Sequence, residues 1–183
     1  HEMVGVVEET VSSVTSLRPG DRVIVNQVTS CGHCYPCRMG RGNVCDSLAV
    51  RGVHIDGGYQ EYIAVPQEDC YLLPDSISDT DAVMIEPATI AIQSCTRAEL
   101  RKDDMLLIYG CGALGSSILK IARLLCDYII VADVIDEKLE GAKSAGAAHT
   151  INVLKENLEE KIKEYTHGHG ATVSIDAVCG NDS

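Results

Sequence analysis

Four cysteines set the tightest limit on how this chain can fold. Cys31, Cys34, Cys37 and Cys45 lie in the run C-G-H-C-Y-P-C-R-M-G-R-G-N-V-C, three at steps of three and the last eight residues on. That spacing suits one tetrahedral ion. Thiolates bind Zn²⁺ well, and four of them fill its coordination sphere and leave no position open for substrate. Gly32, Gly40 and Gly42 permit the tight turns that aim neighbouring thiols inward. Residues 31–45 are therefore expected to form a lobe closed by a structural zinc. The competing reading is a set of reduced core cysteines with chance spacing.

A chain of 183 residues holds one large domain or two small ones. Hydrophobic residues make up 45%, but Phe and Trp are absent, so packing falls to Leu, Ile, Val and Ala. A net charge of −12 speaks against nucleic acid or an anionic membrane as partner, since both need a positive field. No apolar run reaches transmembrane length, and no signal peptide opens the chain. Five further cysteines, Cys70, Cys95, Cys111, Cys126 and Cys179, bring the total to an odd nine. That suits a reducing compartment, and the cytoplasm is expected. The start at His1 and the stop at Ser183 suggest a piece of a larger protein.

Residues 3–9 and 22–28 are rich in β-branched side chains and read as strands, with Pro19, Gly20 and Asp21 turning the chain before the second. Asp56-Gly57-Gly58 is expected to turn into a further strand, Tyr59–Val65, ended by Pro66. Residues 79–95 show helical apolar spacing, and Pro87 must kink that helix or start a new one. From Asp104 the texture changes. Apolar runs at 105–109, 128–132, 150–153 and 173–178 alternate with helical patterns at 113–125, 136–145 and 155–165. Such alternation implies a parallel sheet covered on both faces. In the loop 166–170, His167 and His169 leave metal binding or a solvated turn open.

The first of these runs leads into Gly110-Cys111-Gly112-Ala113-Leu114-Gly115 and then directly into a helix. In this G-x-G-x-x-G setting Gly110 makes a tight turn, Gly112 lets backbone approach a pyrophosphate and Gly115 allows close packing of helix on strand. The helix N-terminus, at Ala113 and Leu114, offers free N–H groups and a positive dipole to phosphates. Asp133 ends the next apolar run, where a carboxylate can accept from adenosine ribose hydroxyls and repel a 2′-phosphate. No basic residue follows closely in D-V-I-D-E-K, so NAD is expected over NADP. A helix N-cap is the other role open to Asp133.

These parts together resemble the zinc-dependent medium-chain alcohol and polyol dehydrogenases, over nearly the whole chain. His1-Glu2 before V-G-V-V is similar to the end of the family's G-H-E, and Arg18-Pro-Gly-Asp-Arg-Val23 to its K-x-G-D-R-V turn. Gly57-Gly58-Tyr59-Gln60-Glu61-Tyr62 is similar to G-G-x-A-E-Y, and Glu86-Pro87 to the E-P of the polyol, threonine and sugar-acid branch. The segments G-V-H-I-D-G-G and E-P-A-T-I-A most resemble sugar-acid oxidoreductases of the L-galactonate type.

The resemblance implies an incomplete GroES-like β domain over residues 1–86 and an incomplete Rossmann domain, a doubly wound parallel sheet, over 87–183. It implies hydride transfer between a secondary alcohol and NAD, and a homo-oligomer, dimer or tetramer. It also implies a catalytic zinc with His1 and Glu2 as ligands and Glu86 as a ligand or a nearby carboxylate. A frayed terminus for His1 and a helix-start acid for Glu86 remain open. His54 and Asp56 have two roles open, contact with substrate or a hairpin turn. A further family ligand, a Cys, is expected ahead of the His. Val11 and Cys126 stand where the family usually has Gly, so strained turns are expected at both. The alternative is a non-catalytic module that binds zinc and NAD without turnover.

Overall fold

The computed structural model describes residues 1–178; Cys179 and Ser183, both named above, lie outside the described residues. Two compact units divide between Glu86 and Pro87.

The first unit is built on short antiparallel strands. β1 (Val4–Val6) pairs with β2 (Arg22–Val25), which pairs in turn with β5 (Cys70–Leu72). A second small ladder joins β3 (Val28–Thr29) to β4 (Ala49–Val50), on either side of the cysteine segment. Met3, Leu17, Val23 and Val25 form the apolar core, with Val7, Val14, Ile63, Val65 and Cys70 packed against it. In the cysteine lobe, Pro36 sits in the first turn of the one-turn helix α1 (Tyr35–Arg38), where its missing N–H leaves no bond unmade.

Tyr59–Val65 is not a strand, contrary to the expectation from its sequence. Only its second half alternates, with Ile63 and Val65 half-buried against the core on either side of exposed Ala64, while residues 59–62 are all exposed. No described strand lies alongside to take its backbone bonds, and β propensity alone makes no ladder. At the end of the unit, helix α2 (Asp79–Ala82) is capped by Ser78, whose Oγ accepts from Asp81 N at 3.1 Å. Pro87 starts a new helix rather than kinking one: it is in the first turn of α3 (Ile85–Arg97).

The second unit is a four-stranded parallel sheet. β6 (Met105–Tyr109), β7 (Tyr128–Asp133), β8 (His149–Asn152) and β9 (Val173–Asp176) lie in the order β8-β7-β6-β9. The crossovers carry α4 (Ala113–Ala122), α5 (Asp136–Ser144) and α6 (Leu158–Tyr165). One face is packed by Ile118, Leu119 and Ala122 of α4 and Leu139 and Ala142 of α5 over Leu106, Ile108, Ile129 and Val131. The opposite face, Leu107, Ile130, Ala132 and Ile151, is covered by Leu158, Ile162 and Tyr165 of α6. Both faces are apolar because both are covered, as the continuous apolar strands required.

α4 ends at Ala122, short of the expected Leu125. Leu124 N bonds Ile121 O and Leu125 N bonds Ala122 O, the tighter pattern of a closing turn. α6 begins at Leu158 rather than Lys155, because Asn157 caps it through Glu160 N while Asn152 takes the N–H groups of Leu154, Lys155 and Glu156. The expected strain at Val11 and Cys126 is absent. Among the described residues only Glu99 and His167 are non-glycines with positive φ. Val11 is an exposed residue ahead of a turn, and Cys126 is buried with its thiol toward the carbonyls of Asp104 and Tyr128. No helix of the described residues is long and apolar enough to cross a membrane.

Leu106→Ala, at a fully buried position of the sheet, should cost about 2–5 kcal/mol in urea denaturation. Val11→Gly should leave stability unchanged or slightly lower; a rise would reveal strain that the backbone angles do not show.

Candidate functional site

Two clusters of ligand-bearing side chains occur among the described residues, both in the first unit. In the lobe, the Sγ atoms of Cys31, Cys34, Cys37 and Cys45 all lie within 4.8 Å of one another. Cys31 and Cys37 are 4.0 Å apart, and Cys34 and Cys45 3.8 Å. A tetrahedron with Zn–S bonds of about 2.3 Å has edges of roughly 3.8 Å, so the four sulfurs fit one ion. They are far too separated for disulfides.

Backbone N–H groups turn toward the sulfurs: Cys34 N to Cys31 Sγ at 3.4 Å, and Cys31 N and Ser47 N to Cys45 Sγ at 3.3 Å each. Such donors favour thiolate over thiol. The amides of His33 and Cys34 hold Cys31 down to about 6. Cys37 is pushed up to about 12, first by burial and then by the neighbouring thiols. Four thiols this close cannot all ionise without a cation among them.

The second cluster joins His1, Glu2 and Glu86, whose ligand atoms also lie within 4.8 Å of one another. His1 and Glu2 lead into β1, and Glu86 comes from the first turn of α3. His1 Nε2 is 3.9 Å from Glu86 Oε2. Burial raises the pKa of Glu86, and the charge of Glu2 adds to the effect. One imidazole and two carboxylates suit a divalent zinc with a position left open. His1 and Glu2 also line an open concavity of about 630 Å³ with His54, Asp56 and Gln60. Gly57 makes this loop possible: a Cβ there would meet Gly52 Cα at 2.6 Å.

His54 does serve the turn, since its Nδ1 accepts from Val50 N at 3.0 Å. The neutral ring then carries its proton on Nε2. His167 and His169 belong to neither cluster; His167 has φ 53° and His169 N bonds back to Thr166 O, as in a turn.

In the second unit the glycine turn follows β6. Gly110 has φ 91°, which a side chain would resist. Around Gly112 a Cβ would meet nothing within 4 Å, so the backbone is open to an approaching ligand. At Gly115 an added Cβ would lie 1.9 Å from Gly110 O; only glycine lets α4 sit against the turn. Ala113 and Leu114 form the first turn of α4, Ala113 exposed and Leu114 packed on the core.

Asp133 ends β7, and its buried carboxylate is largely engaged. Oδ2 accepts from Cys111 N at 2.6 Å, and Oδ1 from Val134 N at 2.8 Å and Ile135 N at 3.0 Å. Burial raises its pKa, but these three N–H groups outweigh burial and hold it below the ordinary carboxylate value. It is not the helix cap, for the residue before α5 is Ile135. A carboxylate offers about four acceptor positions, so one remains on Oδ2.

Sequence reasoning missed three residues that brace the second cluster. Gln27 Nε2 donates to Glu86 Oε1 at 2.9 Å, and a buried ion pair joins Arg51 to Asp69 at 2.7 Å. Gln27 and Asn26 carried one faint signal: they are polar residues at the end of an apolar strand pattern.

Residues 1–75 match the family described as Alcohol dehydrogenase GroES-like domain, and residues 113–183 match Zinc-binding dehydrogenase. The starvation-sensing protein RspB of Escherichia coli K12 is 44% identical over 98% of this chain and 53% of its own length. A sorbitol dehydrogenase of Bacillus subtilis is 34% identical, over 95% of this chain and 50% of its own. A crystal structure of an alcohol dehydrogenase from E. coli CFT073, complexed with cofactor NADH, matches with a TM-score of 0.91 and 43% identity. It covers 98% of this chain, which covers 53% of it. The chain spans about half the length of the relatives it matches.

Cys37→Ser should lower zinc content by about one ion per chain and reduce thermal stability, measured by elemental analysis and calorimetry. Full retention of both would show that the thiols do not share an ion. Asp133→Asn should cost about 1–3 kcal/mol at neutral pH, because an amide cannot accept on both sides. A folded-state pKa below the unfolded one contributes stability that is present above the ordinary carboxylate value. That stability is lost as pH falls through the folded value, so the difference from wild type should shrink below about pH 4.

Proposed function

This chain belongs to the zinc-type medium-chain alcohol dehydrogenases, and on that premise we propose that it carries the metal- and nucleotide-binding parts of an NAD-dependent oxidoreductase. The reaction is hydride transfer between the carbinol carbon of a secondary alcohol, a polyol or sugar acid, and the nicotinamide. The observation that carries this reading is the gathering of His1, Glu2 and Glu86, the first two of which line a concavity with His54, Asp56 and Gln60, in a chain whose four thiols form a separate cluster. A closed and an open site thus have separate donor sets.

His1, Glu2 and Glu86 would hold the catalytic zinc, which when bound supplies Lewis acidity that lowers the pKa of an alcohol. Neutral imidazole and carboxylate donors preserve that acidity better than thiolates would. Cys31, Cys34, Cys37 and Cys45 would hold the structural zinc and tie the lobe. Gly110, Gly112 and Gly115, with the amides at Ala113 and Leu114, would receive the pyrophosphate. Asp133 would accept a ribose hydroxyl at its remaining Oδ2 position and disfavour NADP. The reading extends to a cytoplasmic enzyme, supported by the cysteine-rich composition, and to a homo-oligomer, supported by family likeness alone.

The chain's span of about half its relatives favours a second reading for the chain taken alone, a zinc- and NAD-binding module without turnover. Zinc content per chain, NADH fluorescence titration, and oxidation of polyols, sugar acids and threonine with NAD separate the two. Binding of both ligands without oxidation of any alcohol would select the module. For the cofactor, Asp133→Ala should weaken NAD by about tenfold, and weaken NADP less. Because loss of the carboxylate loosens the loop for both nucleotides, the ratio is the measure, and an equal loss would remove the ribose assignment.

A further inference from the structure

Three groups outside the metal and nucleotide donors are buried or aimed at the second cluster, and they form one connected path. Glu86 sits at a helix start, where its side chain has several rotamers open to it. Yet its carboxylate is divided between two directions: Oε1 accepts from Gln27 Nε2 at 2.9 Å, while Oε2 lies 3.9 Å from His1 Nε2. We infer that Gln27 is a positioning residue of the His1–Glu2–Glu86 centre, holding one carboxylate oxygen of Glu86 so that the other faces the imidazole. The inference rests on the reading of those three residues as a metal centre and deepens it.

Gln27 is itself held. It lies between β2 and β3, and its carbonyl accepts Arg51 N at 2.9 Å. Its neighbour Asn26 donates its N–H to Asp69 O at 2.7 Å. Arg51 and Asp69, which grip the backbone on either side, are joined by an ion pair whose side chains are only 7% and 12% exposed. A buried pair of this kind adds little net stability, but breaking it is costly, so it fixes geometry. The path Asp69–Arg51–Gln27–Glu86 therefore transmits a rigid backbone position to a ligand oxygen. Outer partners of this sort commonly change metal affinity by about 10–100-fold.

A brace that merely joins two elements of the unit would show the same hydrogen bond, so the test must read the metal. Titration of the metal-free 183-residue chain with Co²⁺ distinguishes the two clusters. Cobalt on four thiolates has intense sulfur-to-metal absorption that an imidazole–carboxylate site lacks. Glu86→Gln assigns the second signal. Gln27→Leu, with Gln27→Met in its place if the branched side chain prevents folding, should weaken Co²⁺ at the second centre by about 10–100-fold and shift its ligand-field bands. The thiolate signal and the thermal midpoint should stay at wild-type values. An unchanged second centre would overturn the inference, as would equal losses at both centres with lowered stability. A wild-type chain that binds Co²⁺ at the thiolates alone would overturn the reading of the centre itself.

Discussion

The first unit has too little apolar core to hold its shape by burial alone. Its cluster has just four buried side chains, Met3, Leu17, Val23 and Val25, and its strands run for two to four residues. Small domains of this kind bury a modest share of their surface and depend on added cross-links. Polar and metal-binding groups supply them here: the buried Arg51–Asp69 pair and the four convergent thiols. A substitution at the lobe or at the Arg51–Asp69 pair acts on stability, whereas one at Gln27 acts on the metal centre.

The second unit works on the opposite principle. Its central strands β6 and β7 are apolar on both faces and covered, and Leu106, Ile108, Ile129 and Ile130, with Ile151 of β8, are almost inaccessible to water. The contact of Gly115 with the Gly110 carbonyl brings α4 against the turn, and Asp133 ties the turn to the end of β7 through Cys111 N. Asp133 thus has a structural role that its family position alone did not announce. A carboxylate that organises the loop still retains one acceptor position, as the proposed ribose contact requires.

What could be read in advance depended on the range of the interaction. Cys31, Cys34 and Cys37 lie close along the chain, and Gly110, Gly112 and Gly115 share a single turn. Local spacing therefore carries their geometry. Strand and helix alternation from Met105 onward is equally local, since each element declares its own periodicity. The strand expected at Tyr59–Val65 failed because a strand needs a neighbour, and alternation reports which side chains face inward but not whether a ladder stands alongside. Strain at Val11 and Cys126 failed for a related reason: a glycine elsewhere in the family does not impose positive φ on the residue that replaces it.

By itself the amino-acid order determined the four-thiol cluster and the glycine turn, because each is written in residues near one another along the chain, and the family likeness, because its motifs are each short and local. Tertiary structure alone decided that Glu86 comes within reach of His1, that Gln27 holds it there, and that Arg51 and Asp69 pin the backbone beneath. Those contacts join residues at least 18 positions apart, and a hydrogen bond or ion pair depends on distances of a few tenths of an ångström. Only the packed backbone sets distances on that scale.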